Sequence, residues 1–91
     1  MKIVERIGRP AALEQLAEEA AELAQAALKL ARCMREENPT PRSRRECEKS
    51  LSEETTDVIL CLRVLGLDVD KELMKYKHDR WKKRLKGKEQ R

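Results

Sequence analysis

Apolar residues recur every three or four positions through the first third of the chain. The pattern begins after Pro10, which suits the first turn of a helix because its missing amide hydrogen is not needed there. No helix-breaking residue follows until about Glu37, so the pattern predicts one long amphipathic helix. Its expected packing stripe follows a heptad spacing and consists of Leu13, Leu16, Ala20, Leu23, Ala27, Leu30 and Met34.

A second apolar stripe follows a segment that contains two prolines. Residues 38–41, Asn-Pro-Thr-Pro, stop the first helix because both prolines disfavour helical continuation. The second helix is expected to start near Pro41 or Ser43 and to end at Gly66, which suits a helix C-terminus. Its stripe comprises Cys47, Leu51, Val58, Cys61, Leu62 and Leu65.

The last third of the chain predicts a shorter, basic third helix. Asp68 or Asp70 can cap its start, and it is expected to reach about Leu85, with a flexible tail over residues 86–91. The chain is therefore predicted to be a single all-α domain, residues 1–91, with two long antiparallel helices and a third helix after them. Two such helix pairs from two subunits would form a four-helix-bundle-type homo-oligomer, either a dimer or a dimer of dimers.

Four acidic side chains fall on or beside these packing stripes. At about 100° per residue, Glu54 lies inside the apolar sector of the second helix and Asp57 lies at its edge. On the first helix, Glu19 projects into the apolar half and Glu22 borders it. Each long helix thus offers two carboxylates three residues apart, and in an antiparallel hairpin the two pairs can face one another.

Carboxylates gathered at a helix interface repel one another and lose hydration, so they require compensation. Basic side chains could provide it, but the first helix supplies only Lys29 near Glu22, and Arg63 lies on the opposite face of the second helix. Hard divalent cations could also provide it, because Mg²⁺ prefers carboxylate oxygen. Either pair alone is commonly an exposed surface pair. Two inward-facing pairs on consecutive helices favour a metal site.

Composition narrows the class of protein further. The 91 residues include no Phe, one Trp and 42% charged residues, which is typical of a helical chain. So small a chain buries only about 60% of its unfolded surface, so a homo-oligomer is expected. Three dispersed cysteines and one histidine argue against a zinc site and a disulfide framework.

The formal net charge of +4 is concentrated from Lys71 onward. A nucleic-acid or phosphate surface explains this charge, and so does an ordinary solvated helix. No segment resembles a signal peptide or a membrane span. We therefore expect a cytoplasmic protein without a membrane partner.

The two acid pairs and their surroundings resemble the MazG-like all-α nucleoside triphosphate pyrophosphohydrolases. The family signature is Glu-x-x-Glu on one helix and Glu-x-x-Asp on the next, matched here by Glu19 with Glu22 and by Glu54 with Asp57. Glu18 completes the EEAAE form that is common in the group. The segments LAEEAAELAQAALKLAR, EETTDVILCLRVLGL and KHDRWKKRL are also similar to family segments, so the resemblance covers about residues 13–85.

The resemblance implies an enzyme that cleaves an NTP or dNTP between the α- and β-phosphates, giving a monophosphate and pyrophosphate. It implies Mg²⁺ as the cofactor, with Mn²⁺ as a substitute. Glu18 would be the catalytic base for the attacking water, or an acid that supports the metal ligands. The implied metal ligands are Glu19, Glu22, Glu54 and Asp57.

Basic residues of the third helix are expected to bind the substrate phosphates. Lys77 and Arg80 fall where the family often has a Lys-x-x-Lys-Asn-like motif, although Trp81 stands where an Asn is common. Lys75 is an equal candidate, and Arg84 recurs on the side of Lys77. Each of these cations could equally be an ordinary surface residue.

Two other functions fit the sequence. One is a non-catalytic nucleotide-binding or helical interaction protein of the same fold, although the presence of all four acids speaks against lost catalysis. The other is a nucleic-acid-binding adaptor that uses the basic third helix. It has the least support, because basic and aromatic residues are not interleaved there.

Overall fold

The structure is a computed structural model that describes residues 1–36 and 42–89. These ranges contain no strand, so the prediction of an all-α chain is confirmed. No helix within them combines the length and the apolarity that crossing a bilayer requires. The helices are α1 (Ile3–Ile7), α2 (Arg9–Arg35), α3 (Arg44–Val64) and α4 (Lys71–Glu89).

Short polar side chains cap the starts of α3 and α4, where the start near Ser43 and the cap by Asp70 agree with the prediction. Ser43 Oγ accepts a hydrogen bond of 3.2 Å from the backbone N–H of Glu46, and Asp70 Oδ1 accepts one of 3.0 Å from that of Leu73. Both bonds satisfy amide groups that the first turn of a helix leaves without an internal partner. Gly66 follows α3 with φ of 70°, a left-handed conformation that glycine adopts without steric cost.

Two elements differ from the prediction. The sequence pattern does not predict α1, because five residues are too few to show a helical period. The predicted end of the third helix near Leu85 is wrong by about one turn, because α4 continues to Glu89. The expected flexible tail therefore falls on helical residues 86–89 and on residues 90 and 91, which lie outside the described residues. The predicted stop at residues 38–41 lies outside them too.

An antiparallel hairpin of α2 and α3 contains the core. The two helices pack along most of their length, and α1 packs against α2. Arg9 Nη1 joins the start of α2 to the end of α3 by donating to the backbone carbonyl of Leu65 at 3.2 Å. Among the described helices, α4 has no comparable packing partner. The buried hydrophobic side chains are few and mostly small: Ala12, Ala26, Cys47 and Leu65.

The predicted stripe of the second helix is correct, because its five residues in α3 and the C-cap residue Leu65 are all buried or half-buried, but the stripe of α2 is partly wrong. Leu16, Leu23 and Leu30 are half-buried as expected, whereas Leu13 is 43% exposed and Met34 is 54% exposed. The cause is that α2 has apolar residues on two adjacent sides. The side that meets α3 instead contains Ala12, Glu19, Ala26 and Cys33, and the uncovered side contains Leu13, Ala20, Ala27 and Met34.

Candidate metal centre

Three carboxylates meet between the two helices of the hairpin. One oxygen atom from each of Glu19, Glu22 and Glu54 lies within 4.8 Å of the others. Glu19 and Glu22 are neighbours on one side of α2 because they are three residues apart. Glu54 reaches them from α3, where it occupies the half-buried packing stripe. The antiparallel packing therefore brings acids that are distant in sequence to the same depth of the hairpin.

Asp57 lies beside this cluster, and Glu18 is further outside. The negative charge of Asp57 contributes to a raised pKa of Glu19, and the two residues line the same cavity of about 250 Å³. Both Asp57 and Glu18 are exposed. The structure thus groups the four acids of the predicted ligand set, three of them tightly, and places Glu18 at the adjacent surface of α2.

Two oxygen atoms of the cluster are buried without a hydrogen-bond partner, Glu19 Oε2 and Glu54 Oε2. The other oxygen of Glu19 accepts a hydrogen bond of 2.9 Å from Gln15 Nε2. Thr55 and Thr56 stand next to Glu54, but their hydroxyl groups donate to backbone carbonyls one turn earlier, at 2.7 and 2.8 Å. Buried polar atoms without partners are energetically costly, so a shared proton, a bound water or a cation would stabilise these two oxygen atoms.

Lysine and arginine do not supply that compensation within the described ranges. None of the clustered acids has an ion pair there, and the pair between Arg44 Nε and Glu48 Oε1, at 3.1 Å, lies at the exposed start of α3. Residues 10–28 and 50–62, which form the middle of the hairpin, contain seven acids and no Lys or Arg. The cluster is therefore an uncompensated concentration of negative charge.

The pKa of Glu19 reflects this environment. Partial burial raises its pKa above the ordinary glutamate value, and the negative charges of Glu22 and Asp57 act in the same direction, while the hydrogen bond from Gln15 opposes them. Burial also raises the pKa of the Cys61 thiol, together with the charges of Glu19 and Asp57. Cys61 therefore remains a neutral thiol at physiological pH, which leaves the carboxylate oxygens as the atoms of the site that could bind a metal.

We expect the metal-free protein to lose stability as the pH rises from the ordinary glutamate range to the higher pKa of Glu19. The folded state binds this proton more tightly than the unfolded chain, so the contribution to stability is full below that window and is lost above it. Urea unfolding at several pH values, with a chelator present, measures the effect. Glu19→Gln should remove this part of the pH dependence, whereas Glu14→Gln should leave it intact. An unaltered profile in Glu19→Gln would contradict the raised pKa.

Sequence reasoning does not find every residue at the site. Gln15 precedes Glu19 by four residues, and this spacing on one helix face is a signal for the hydrogen bond between them. Ile3 and Ile7 of α1 line the cavity beside Glu19 and Asp57. Nothing in the helical periodicity indicates their position, because it depends on how the chain turns at Gly8.

The predicted phosphate-binding residues lie on α4, away from the acids. Lys75, Lys77 and Arg80 are all exposed, and the guanidinium carbon of Arg80 lies 5.6 Å from the centroid of the Tyr76 ring. Trp81 is 65% exposed. Among the described helices α4 has no extensive packing with the hairpin, and none of these three cations lines the cavity beside Glu19 and Asp57.

Comparison with known proteins gave no match among protein-family models, curated proteins or solved structures. The fold and the site themselves define a helical-hairpin protein with a carboxylate centre between its two long helices.

Proposed function

We propose that this protein is a Mg²⁺-dependent nucleoside triphosphate pyrophosphohydrolase, which converts an NTP or dNTP to a monophosphate and pyrophosphate. The observation that carries the proposal is the carboxylate cluster. Glu19, Glu22 and Glu54 reach one another from two helices, and two of their oxygen atoms are buried without partners. The resemblance of both acid-bearing segments to MazG-like enzymes supports pyrophosphate release as the chemistry of this cluster.

The cluster fits a hard divalent cation by its donor atoms. Carboxylate oxygens suit Mg²⁺, and the exposure of Glu22 and Asp57 leaves room for the water molecules that Mg²⁺ retains. A cation would also give the buried oxygens of Glu19 and Glu54 the partner that they lack. Mn²⁺ accepts the same ligands and is the expected substitute. The proposed ligands are Glu19, Glu22, Glu54 and Asp57.

The proposed reaction is attack of water on the α-phosphorus, with cleavage of the bond from that phosphorus to the oxygen that bridges it to the β-phosphate. A divalent cation held there would supply charge compensation for the triphosphate and the departing pyrophosphate. Glu19, Glu22, Glu54 and Asp57 would hold it. Glu18, exposed beside the cluster, takes the proton of the attacking water.

Glu18→Gln should lower kcat by about 10-fold to 100-fold with little change in KM, because the amide cannot accept the proton of the attacking water. The loss is limited because neighbouring acids and solvent still accept this proton, less efficiently. Steady-state rates of pyrophosphate release measure the effect. Glu14→Gln, which removes the same charge one turn earlier on α2, is the matched control and should be unaffected. Undiminished turnover in Glu18→Gln would remove Glu18 from the mechanism.

The proposal also assigns the substrate-binding cations and the setting of the protein. Lys77, Arg80 and Lys75 are the proposed phosphate contacts, and the active form is a homo-oligomer, a dimer or a dimer of dimers. The cytoplasm supplies both nucleoside triphosphates and Mg²⁺. The free cysteines of the described chain suit a reducing compartment of this kind.

The proposed function is tested by incubating the purified protein with each common NTP and dNTP, with Mg²⁺ or with a chelator. Phosphorus NMR identifies the products. We expect a monophosphate and pyrophosphate from at least one substrate, only when Mg²⁺ is present. Diphosphate and inorganic phosphate, or turnover that the chelator does not affect, would contradict the proposal. Thermal stabilisation by a nucleotide without turnover would instead indicate a non-catalytic nucleotide-binding protein.

A further inference from the structure

In the part of the chain that the structure describes, nothing covers the apolar side of α4. Leu73, Met74, Trp81 and Leu85 recur along one side of the helix and are between 47% and 65% exposed. The first three also line a shallow groove with Val69. An amphipathic helix is stable in a folded protein when its apolar side packs against another surface. This side of α4 therefore requires a partner.

The exposed area of the chain indicates how large that partner surface is. A compact monomer of 10.6 kDa exposes about 5,500 Å², whereas this chain exposes 8188 Å². The excess of about 2,700 Å² in one chain, or about 5,400 Å² in two, is as large as the largest obligate dimer interfaces, which bury about 5,000 Å² or more from two subunits together. The Cα radius of gyration, 17.3 Å, likewise exceeds the value of about 12 Å for a compact domain of this length.

Two cations lie within the apolar side of α4. Lys77 lines the groove together with Leu73, Met74 and Trp81, and Arg84 is two turns further along on the same side of the helix. Neither has an ion pair in the part of the chain that the structure describes. A surface that covers this side must therefore offer apolar contacts and negative charge together.

The acid-bearing side of the hairpin has that combination. Its middle, residues 10–28 and 50–62, contains seven acids and no Lys or Arg, whereas Lys71–Glu89 contains nine Lys and Arg against three acids. Beside Glu19 and Asp57 stands an apolar wall formed by Ile3, Ile7, Leu60 and Val64. The charges of the two surfaces are thus opposite, and both carry apolar residues between their charges.

We propose that a second copy of the chain covers α4. In this dimer, α4 of each subunit lies along the acid-bearing side of the other subunit's hairpin, with its apolar residues against the wall beside Glu19 and Asp57. Lys77 and Arg84 of one subunit then reach the phosphates held at the carboxylate cluster of the other. The docking rests on packing and charge alone, while the contact with phosphates rests on the proposed function.

A cross-linking experiment tests the docking without any need for activity. Unlabelled and ¹⁵N-labelled chains are unfolded together, refolded and treated with a carbodiimide, which joins lysine amines to carboxylates that touch them. Mass spectrometry of the tryptic peptides then separates links within a chain from mixed heavy–light links between chains. We expect mixed links between lysines of α4, Lys77 among them, and the acids Glu22, Glu53 or Asp57.

Three outcomes would overturn the docking. The chain could sediment as a monomer at concentrations used for the cross-linking. The links from α4 could be confined to single chains. A dimer could also form with mixed links only elsewhere, for example around the uncovered side of α2 that contains Leu13 and Ala20. A monomer that binds a DNA or RNA duplex, with affinity that falls steeply as salt rises, would identify nucleic acid as the occupant of α4.

Mixing two impaired variants tests whether the cations act between subunits. Glu54→Gln removes a carboxylate from the cluster, and Lys77→Ala/Arg84→Ala removes both cations, and each variant alone should be at least about tenfold slower than wild type. After co-refolding, half of the dimers contain one chain of each kind, with one complete site each. The mixture should therefore recover about one quarter of the wild-type rate per chain in a symmetric dimer.

The matched control is Lys82→Ala/Lys86→Ala, which removes two cations from the opposite side of α4 and should keep the wild-type rate. A rate per chain no greater than the mean of the two variants' rates would show that α4 does not act on the other subunit's site. Mixed cross-links without any pyrophosphate release by the wild type would support the docking but contradict the proposed function and the phosphate contact.

Discussion

Replacing Glu54 with glutamine is expected to lower the rate of pyrophosphate release more than about 100-fold. Mutating a residue that only hydrogen-bonds a metal ligand already lowers metal affinity or activity by about 10-fold to 100-fold. Glu54 contributes a carboxylate oxygen to the cluster, and its Oε2 is buried without a hydrogen-bond partner. Glutamine keeps the size of the side chain but removes the charge and one acceptor atom. Initial rates at saturating Mg²⁺ and substrate measure the loss.

The neighbouring residue provides the control for this substitution. Glu53 is exposed, precedes Glu54 by one residue and lies outside the cluster, so Glu53→Gln changes the net charge equally without changing the site. Its rate should equal that of the wild type. Equal losses in the two variants would indicate a general electrostatic effect of the acidic surface, and full activity in Glu54→Gln would contradict its role as a ligand.

Mg²⁺ at about 100 times its dissociation constant should raise the melting temperature by about 10 to 20 °C. Binding to the folded state alone stabilises it by about 2.7 kcal/mol, and each kcal/mol raises the melting temperature of a domain of this size by about 4 to 8 °C. The reason is that the cation satisfies oxygen atoms that the folded chain leaves without partners. Circular dichroism at 222 nm during heating follows the transition. NaCl at matched ionic strength should produce little of the shift.

The same experiment on Glu54→Gln separates a metal site from a hidden ion pair. Because no described basic side chain pairs with Glu54, the metal-free variant should be at least as stable as the metal-free wild type, while its response to Mg²⁺ should be strongly reduced. A large loss of metal-free stability would show that Glu54 has a basic partner in the folded state. Glu53→Gln should retain the full response to Mg²⁺.

The hairpin and its acids were predictable because both depend on local patterns. Ser43 and Asp70 are strong N-cap residues. The apolar residues of α3 form a narrow stripe, so only one side of the helix can face the core. Glu54 stood out because it interrupts that stripe. The proximity of Glu19, Glu22 and Glu54 then follows from antiparallel packing of two helices of similar length.

Other features depend on contacts that periodicity does not encode. Leu13 and Ala12 are both apolar and adjacent, so the pattern of α2 cannot decide which of them meets α3. The five residues of α1 are too few to show a helical period of apolar residues, yet Ile3 and Ile7 line the cavity beside the acids. The position of α4 depends on a surface distant in sequence, and on our proposal that surface belongs to another chain.

The central claim is that acids from α2 and α3 hold one divalent centre between them. Anomalous diffraction from crystals grown with Mn²⁺ tests this claim most directly, because Mn²⁺ scatters anomalously and substitutes for Mg²⁺. The account predicts an anomalous peak within coordination distance of Glu19, Glu22 and Glu54. Well-ordered acids at that position with no peak between them, or a peak only at acids on the outer surface, would contradict it.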